Sequence, residues 1–256
     1  MSTKGILMAG GKGKRLKPLT DITNKHFILI YNKPMIYYSM SLLIYAGIKE
    51  ILIMCNEADI ISYKQIFNQV EKKHSIKIYY RYQKNIGGGI AEGLTQNVDF
   101  ISNTKKIALI LGDNFFYGRS FPLQVKKTLN LKSNKSTIFL SEVINPKNYG
   151  VAYFNKNKLL NIIEKPKNSK SNMAVTGLYV YDKNILKFIK NIKPSKRNEL
   201  EITSVNNMLL KKGYLNYQRI GRATTWFDLG SFENIYQCSE FVRLIEKRQG
   251  LKIADI

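Results

Sequence analysis

The 256-residue sequence contains only two cysteines and two histidines. Cys55 and Cys238 are far apart and form no CxxC pair, so the spacing of a disulfide framework or a cysteine-based metal site is absent. There is no apolar run of transmembrane length, and the first residues do not resemble a leader with a charged start and an apolar middle. These absences predict a cytoplasmic protein with reduced thiols and no membrane partner.

Acidic residues are also scarce, because 18 Asp and Glu stand against 41 Lys and Arg, a formal net charge of +23. Such a charge is typical of nucleic-acid-binding proteins when the cations are clustered. Here the lysines are spread along nearly the whole chain, and no recognition motif is present. We therefore expect no nucleic-acid partner, and a basic nucleic-acid binder remains an alternative that would show steeply salt-dependent DNA binding.

A glycine-rich stretch, GGKGKRLKPLT, begins at Gly10 directly after an apolar run that ends at Ala9. Gly10, Gly11 and Gly13 have no Cβ and tolerate positive φ, so consecutive backbone N–H groups can approach phosphate oxygens closely. The position of the stretch at the end of an expected strand favours a phosphate-binding loop over its alternative, an ordinary solvated turn.

Two cations, Lys14 and Arg15, follow these glycines and add positive charge at the same place. The spacing is not that of the P-loop, which ends in Gly-Lys-Ser/Thr. It is not the dinucleotide-binding fingerprint either, because Leu16 occupies the position of the third glycine. The stretch therefore predicts polyphosphate binding of a different class.

The first half of the chain alternates short apolar runs with helical patterns, and the second half is rich in strands. This order predicts an α/β fold with a doubly wound, mostly parallel, Rossmann-like mixed sheet, helices on both faces and a β-rich extension. We expect strands at 5–9, 50–54, 76–80, 107–111, 136–143, 149–154, 159–164, 175–181, 214–220 and 224–228. We expect helices at 34–47, 60–73, 89–100 and 199–212, and a last helix from 231.

Motifs spread over almost the whole chain occur in the order found in one enzyme family. They are GGKGKRLKPLT, NKH at 24–26, NKPMIYY from Asn32, LGDNFFYG from Leu111, YGV at 149–151, EKP at 164–166, VTGLYVYD from Val175, ELEIT from Glu199 and WFDLGS from Trp226. Together they resemble the sugar-phosphate nucleotidylyltransferases, in particular the bacterial glucose-1-phosphate thymidylyltransferases. The resemblance implies one domain, 1–256, with a nucleotide-binding core (1–135), a sugar-phosphate-binding part (136–230) and a C-terminal helix (231–256).

The activity implied is transfer of a nucleotidyl group from dTTP to glucose 1-phosphate, which gives dTDP-glucose and pyrophosphate with Mg²⁺ as cofactor, in a homo-oligomer. The attacking sugar phosphate is already an anion, so the reaction needs positioning and charge neutralisation and no general base. The alternatives are the same chemistry with UTP, CTP or another sugar 1-phosphate, and a non-catalytic nucleotide-sugar-binding protein. The last is motivated by Lys14, His26 and Leu229, which replace the family's usual Thr, Gln and Thr.

The resemblance also implies site residues. The nucleotide-binding candidates are Ala9, Gly10, Gly11, Gly13, Arg15, Lys25, Gln83, Gly88, Gly89 and Asp113. The sugar-phosphate-binding candidates are Tyr149, Gly150, Glu164, Lys165, Val175 and Arg197. Catalytic roles fall to Arg15, which neutralises the leaving pyrophosphate, to Lys25 at the α-phosphate, and to Lys165 at the sugar phosphate.

Two aspartates, Asp113 and Asp228, each follow an expected strand and are the implied Mg²⁺ ligands. The alternative roles are a turn aspartate at 113 and an acidic helix start at 228. We expect both to share one cleft with the glycine loop. We also expect an extended backbone at Lys165, because it precedes Pro166, and a position near the nucleotide for His26.

Overall fold

The computed structural model describes residues 2–84, 88–190, 192–195 and 199–256. The chain divides into two compact units. One, the glycine-loop unit, consists of Lys4–Gly87, Ile110–Lys126 and Thr224–Ile256. The other, the β-rich unit, consists of Met1–Thr3, Gly88–Leu109 and Lys127–Ala223. The single domain expected over 1–256 stays a prediction.

Strands and helices alternate in the first part of the chain, and strands predominate later. The strands are β1 (Ser2–Ala9), β2 (Leu29–Ile30), β3 (Lys33–Pro34), β4 (Glu50–Cys55), β5 (Lys77–Tyr82), β6 (Thr104–Leu111), β7 (Asn114–Tyr117), β8 (Ser136–Glu142), β9 (Gly150–Asn155), β10 (Lys158–Glu164), β11 (Met173–Asp182), β12 (Leu215–Arg219) and β13 (Thr225–Asp228). The helices are α1 (Ile36–Tyr45), α2 (Ile60–His74), α3 (Ile90–Thr95), α4 (Val98–Ser102), α5 (Phe121–Asn130), α6 (Ile185–Ile189), α7 (Ile202–Lys211) and α8 (Phe232–Gln249). In the described part of the chain, none of these helices is both long enough and apolar enough to cross a membrane.

The glycine-loop unit contains a parallel sheet in the strand order β1-β4-β5. Ala9, the last residue of β1, pairs with Cys55, and Cys55 pairs with Tyr82. The carboxyl ends of the three strands therefore lie at one edge of the sheet, where ligands bind in folds of this kind. Five consecutive residues of β4 are buried, as expected for a parallel strand that is covered on both faces.

The β-rich unit is organised around β11, whose ten residues are all buried. This strand pairs antiparallel with β8 and with β9; β8 pairs in parallel with β12, and β9 pairs antiparallel with β10. Helix α7 packs on β10 and β12. The α/β fold class with a mixed sheet is thus confirmed.

Most of the expected elements are present, but the helix expected at 89–100 is two helices. It breaks at Asn97, whose φ of −123° is not helical and whose side chain donates to the carbonyl oxygen of Gly93 at 2.6 Å. Asparagine competes in this way with the backbone hydrogen bonds of a helix. Strand β7 and helix α5 were not anticipated from the sequence, although Pro122 lies in the first turn of α5, where proline is favoured.

An aromatic cluster lies beneath β7 and β13 in the glycine-loop unit. These two strands pair antiparallel with Phe115 opposite Phe227. The fully buried ring of Phe115 makes edge-to-face contacts with Tyr38 at 5.1 Å and with Phe241 of α8 at 6.1 Å between ring centroids. The cluster therefore anchors the strand pair that carries Asp228.

Replacing Phe115 by alanine removes the centre of this cluster. We expect Phe115→Ala to lower the free energy of unfolding by about 3–5 kcal/mol, since a buried ring is lost and a cavity is left. Phe232→Ala is the matched control, because that ring is 48% exposed and its removal costs much less. Denaturant titration measures both, and equal losses for the two variants would contradict the central position of Phe115.

Candidate active site

The glycine loop begins where β1 ends and is held at several points. Gly11 and Gly13 have φ of 116° and 55°, which glycine adopts without strain. The carbonyl oxygen of Gly13 accepts hydrogen bonds from the Leu16 amide at 2.8 Å and from the Thr20 hydroxyl at 2.9 Å. The Leu16 side chain is buried. The loop is therefore a defined turn rather than a loose solvated one.

Asp113 follows β6 and lies beside the end of β1, since the Gly112 amide donates to the Met8 carbonyl oxygen at 2.8 Å. Its carboxylate forms a hydrogen-bonded ion pair with Lys25. Burial alone would raise the pKa of Asp113, but the charge of Lys25 and its hydrogen bond outweigh burial and hold this pKa well below its ordinary value. Asp113 is therefore a stable anion that faces a cation.

Asp228 ends β13 and lies next to Asp113. It pairs with Asn114, and the amide of Leu229 donates to the carbonyl oxygen of Asp113 at 2.8 Å. Burial raises the pKa of Asp228, and the charge of Asp113 raises it further, whereas Arg15 lowers it. A buried and a half-buried carboxylate of like charge thus lie close together, an arrangement that favours the binding of a cation.

Arg15 approaches the second carboxylate, with 3.9 Å between its Nη2 and Asp228 Oδ2. The contact is long and the Arg15 side chain is 63% exposed, so the pair contributes little to stability and leaves the guanidinium available to an anion. A Cβ at Gly230 would lie 2.2 Å from Arg15 Nη2. The position of Arg15 therefore depends on the absence of a side chain at 230.

Gln83, the candidate for base recognition, is buried against the first glycine of the loop. A Cβ at Gly10 would lie 2.6 Å from Gln83 Oε1, so a side chain at position 10 would displace the side-chain amide of Gln83. The backbone amide of Gln83 donates to the Cys55 carbonyl oxygen at 3.0 Å, which fixes Gln83 at the end of β4. The structure thus brings the nucleotide candidates Ala9, Gly10, Gly11, Gly13, Arg15, Lys25, Gln83 and Asp113 into one unit.

A cavity of about 690 Å³ lies on the outer side of the loop. Its walls come from the glycine loop, from the segment 20–27 and from the turn after β4. Four lysines line it, namely Lys12, Lys14, Lys17 and Lys25, together with two acids, Asp21 and Asp59. The excess of positive charge and the loop amides suit a polyanion.

The sugar-phosphate candidates lie in the β-rich unit. Gly150 pairs with Glu164 across β9 and β10, and the Lys165 amide donates to the Tyr149 carbonyl oxygen at 2.9 Å. Val175 is on β11, the strand next to β9. Gly150, Glu164 and Val175 are therefore on neighbouring strands, and Tyr149 and Lys165 directly flank two of them. The sixth candidate, Arg197, lies outside the described residues.

The extended backbone expected at Lys165 is wrong, because its φ is +46°. The steric conflict with Pro166 disfavours the right-handed helical region, and here the residue avoids it by adopting the left-handed one. The ammonium group lies 3.9 Å from Glu164 Oε1. The other carboxylate oxygen of Glu164 accepts a hydrogen bond from the Thr203 hydroxyl at 2.6 Å. Thr203 ends the ELEIT motif, but the motif assigned it no role in the site.

Gly88 and Gly89, the remaining nucleotide candidates, belong to the β-rich unit and contact Leu200. The Leu200 amide donates to the Gly88 carbonyl oxygen at 2.7 Å, and a Cβ at Gly89 would lie 2.5 Å from the Leu200 carbonyl oxygen. Backbone packing therefore requires glycine at 89. Gly87, which begins the GGGIAEG run, lies outside the described residues.

Comparison with known proteins gives the family. A model of the family described as "Nucleotidyl transferase" matches residues 4–244. The chain belongs to the nucleotidyl transferase family. It is 40% identical over 252 residues to the glucose-1-phosphate thymidylyltransferase of Neisseria meningitidis serogroup A, which covers 98% of this chain and 86% of the relative. It is 38% identical over 251 residues to the enzyme of that name from Mycolicibacterium smegmatis, covering 98% and 85%.

A solved structure supports the same family. It is that of a Bacillus anthracis protein assigned as a glucose-1-phosphate thymidylyltransferase, in complex with sucrose. The likeness has a TM-score of 0.85 at 36% sequence identity and covers 94% of this chain and 96% of that one. The resemblance seen in the ordered motifs is therefore confirmed for this nucleotidyl transferase.

Several departures from the family pattern have a structural explanation. Leu229 is fully buried in the aromatic cluster and Ile28 packs against it, so both serve the core. His26 is buried instead of lining the cavity; its Nδ1 lies 2.8 Å from Asn24 Oδ1. A Cβ at Gly112 would be 2.7 Å from the His26 ring. The sequence analysis did not identify three polar residues that contact the candidate site, although one of them begins the NKH motif. They are Asn24, which contacts His26, Asn56, which contacts Gly11, and Asp59, which contacts both asparagines.

The buried imidazole of His26 predicts acid sensitivity. Burial and then the charge of Lys25 lower its pKa from 6.5 to about 3. The unfolded chain therefore takes up a proton between pH 6.5 and pH 3 that the folded chain excludes, so stability is full above pH 6.5 and falls below it. We expect the wild type to lose about 2 kcal/mol more than His26→Gln between pH 7 and pH 5.

The measurement is denaturant unfolding in EDTA at the two pH values. His74→Gln, at a partly exposed position, is the comparison. Burial and the charges of Lys73 and Lys49 also lower the pKa of His74, but less than that of His26, so this variant is expected to lose only a small part of the wild-type dependence on pH. Identical pH dependence of His26→Gln and the wild type would contradict the burial of a neutral imidazole.

Proposed function

We propose that this protein transfers the thymidylyl group of dTTP to glucose 1-phosphate and releases pyrophosphate. The observation that carries the proposal is the joint placement, in one unit, of the glycine loop, Lys25, Arg15 and the two aspartates Asp113 and Asp228. Two relatives named glucose-1-phosphate thymidylyltransferase, at 40% and 38% identity over nearly the whole chain, support the choice of substrates.

The chain's own residues supply charge neutralisation and positioning. The phosphate oxygen of the sugar phosphate attacks the α-phosphorus in line with the departing pyrophosphate, so negative charge grows on the phosphate oxygens and no proton has to be removed. Lys25 stabilises the α-phosphate, while Arg15 and the amide of Gly13 stabilise the leaving pyrophosphate. The cavity beside the loop, with its four lysines, is wide enough for these anions.

A divalent cation fits the two aspartates. Magnesium is commonly bound by one or two carboxylates, with phosphate oxygens and water completing its coordination. Asp113 and Asp228 provide two adjacent carboxylates, the first buried and the second half-buried. Within the described ranges no set of three or more His, Cys, Asp or Glu is placed to hold a metal without a substrate. A bound Mg²⁺ would supply further positive charge to the phosphates.

The sugar phosphate is assigned to the β-rich unit. Glu164, held by Thr203, would accept hydrogen bonds from sugar hydroxyls, and Lys165 would pair with the phosphate together with Arg197. The base is assigned to Gln83, whose amide can donate and accept at the same time, as the edge of thymine or uracil requires. This match favours thymine or uracil over cytosine. It supports the choice of base less strongly than the glycine loop, the cations and the aspartates support the phosphate chemistry.

A substrate panel tests the proposal. The protein is incubated with Mg²⁺, glucose 1-phosphate and each of dTTP, UTP, CTP and ATP, and pyrophosphate release is followed. We expect the highest kcat/KM with dTTP. A preference for UTP would change the assigned nucleotide, and reaction only with another hexose 1-phosphate would change the assigned sugar. Binding of dTDP-glucose without any pyrophosphate release would show a non-catalytic binding protein.

Asp113 provides the sharpest test of the site. Asp113→Asn keeps the volume of the side chain and an oxygen for Lys25 but removes the charge that would hold the metal. We expect kcat to fall roughly 100-fold or more, with only a small change in melting temperature. Asp255→Ala, at an exposed position, is the control with full activity. Near-wild-type turnover of Asp113→Asn in Mg²⁺ would reject the assignment.

A further inference from the structure

Asp59 joins two segments of the glycine-loop unit that are far apart in the sequence. Its Oδ2 accepts a hydrogen bond from Asn24 Nδ2 at 2.5 Å and another from Asn56 Nδ2 at 2.8 Å. Asn24 directly precedes Lys25, and Asn56 directly follows β4. One carboxylate oxygen therefore holds both amide side chains.

The two asparagines contact the phosphate-binding candidates through their other ends. Asn56 Oδ1 accepts from the amide of Gly11 at 3.4 Å. Asn24 Oδ1 accepts from the amide of His26 at 3.0 Å and caps the short 3₁₀ turn Lys25–Phe27. The network thus begins at the glycine loop and ends at the turn that carries Lys25.

The carboxylate decides which way both amides point. A carboxylate only accepts hydrogen bonds, so each asparagine must present its NH₂ group to Asp59 and its oxygen to the other side. Those oxygens are the acceptors that the Gly11 amide and the Lys25–Phe27 turn require. With Asp59 removed, either amide can rotate and offer an NH₂ group where an acceptor is needed.

Charge alone gives no reason for an acid at this position. Asp59 lines the cavity together with Lys12, Lys14 and Lys25, and a carboxylate there repels a phosphate. If Asp59 acted only through its charge, its removal would strengthen phosphate binding. Its hydrogen bonds predict that removal weakens phosphate binding. The direction of the change in affinity therefore distinguishes the two effects.

We infer that Asp59 is a positioning residue for nucleotidyl transfer, which holds the glycine loop and the Lys25 turn in the arrangement that binds the triphosphate. The inference rests on the proposed function, since it concerns the site assigned there to the nucleotide. Loss of such alignment lowers rates by up to about 100-fold even when no reacting group is removed.

The experiment compares Asp59→Ala, Asp59→Asn and Glu57→Ala with the wild type. Glu57 lies on the same short turn, is exposed, and does not line the cavity, so its removal deletes an equal charge without touching the network. For each protein we would measure KM for dTTP, KM for glucose 1-phosphate, kcat, the Kd of inorganic pyrophosphate and the melting temperature.

We expect Asp59→Ala to lower kcat/KM for dTTP on the order of 10- to 100-fold and to weaken pyrophosphate binding, with KM for glucose 1-phosphate nearly unchanged. Asp59→Asn retains one acceptor oxygen and is expected to lie closer to the wild type. Glu57→Ala is expected to match the wild type in all readouts.

Two results would overturn the inference. One is unchanged or tighter binding of dTTP and pyrophosphate by Asp59→Ala. The other is an equal loss for both substrates together with a lower melting temperature in both Asp59 variants, which indicates a general structural role. Failure of the proposed function is a separate result, namely no pyrophosphate release by the wild type, and the pyrophosphate Kd of the same variants then still decides the role of Asp59.

Discussion

Two carboxylates side by side, one buried and one half-buried, are the constraint on which the glycine-loop unit depends. Asp113 and Asp228 repel one another in a place that water does not reach well, and such a pair persists only with compensating positive charge. Lys25 compensates the first and Arg15 approaches the second. The same two cations are suited to phosphate, so the charges that stabilise the two carboxylates also favour the binding of an anion.

The backbone places these charges on segments that follow strands. The glycine loop follows β1, Asp113 follows β6, and Asp228 ends β13. Strands β1 and β6 are mostly buried, and β13 is half-buried. A rigid sheet thus positions groups on short connections, where they are free to meet a ligand. Beneath them, the rings around Phe115 fix β7 and β13, so that the separation of the two carboxylates is determined by packing and not by their own repulsion.

The sequence is sufficient to predict the α/β class, the parallel strands and the residues of the ordered motifs, because these depend on local periodicity and on short signatures. It is not sufficient for contacts between distant segments. Nothing near Asp59 in the chain indicates that it binds Asn24, and nothing near Glu164 indicates Thr203. Lys165 is a different case. A residue before proline avoids the right-handed helical region of backbone conformation, but this rule does not say whether it adopts the extended or the left-handed region. The roles assigned to the site residues stay predictions until the variants are measured.

Three glycines in the glycine-loop unit lie where a functional side chain takes the space of a missing Cβ: Gly10 beside Gln83, Gly112 beside His26, and Gly230 beside Arg15. A single added methyl group at any of them displaces a neighbour that comes from a remote part of the chain. Gly230 is the clearest case, because it has no side chain of its own to offer a nucleotide. The effect of a substitution at Gly230 therefore depends on how it displaces Arg15. A mutant library that varies only residues with reactive side chains would overlook this contribution of Gly230 to the site.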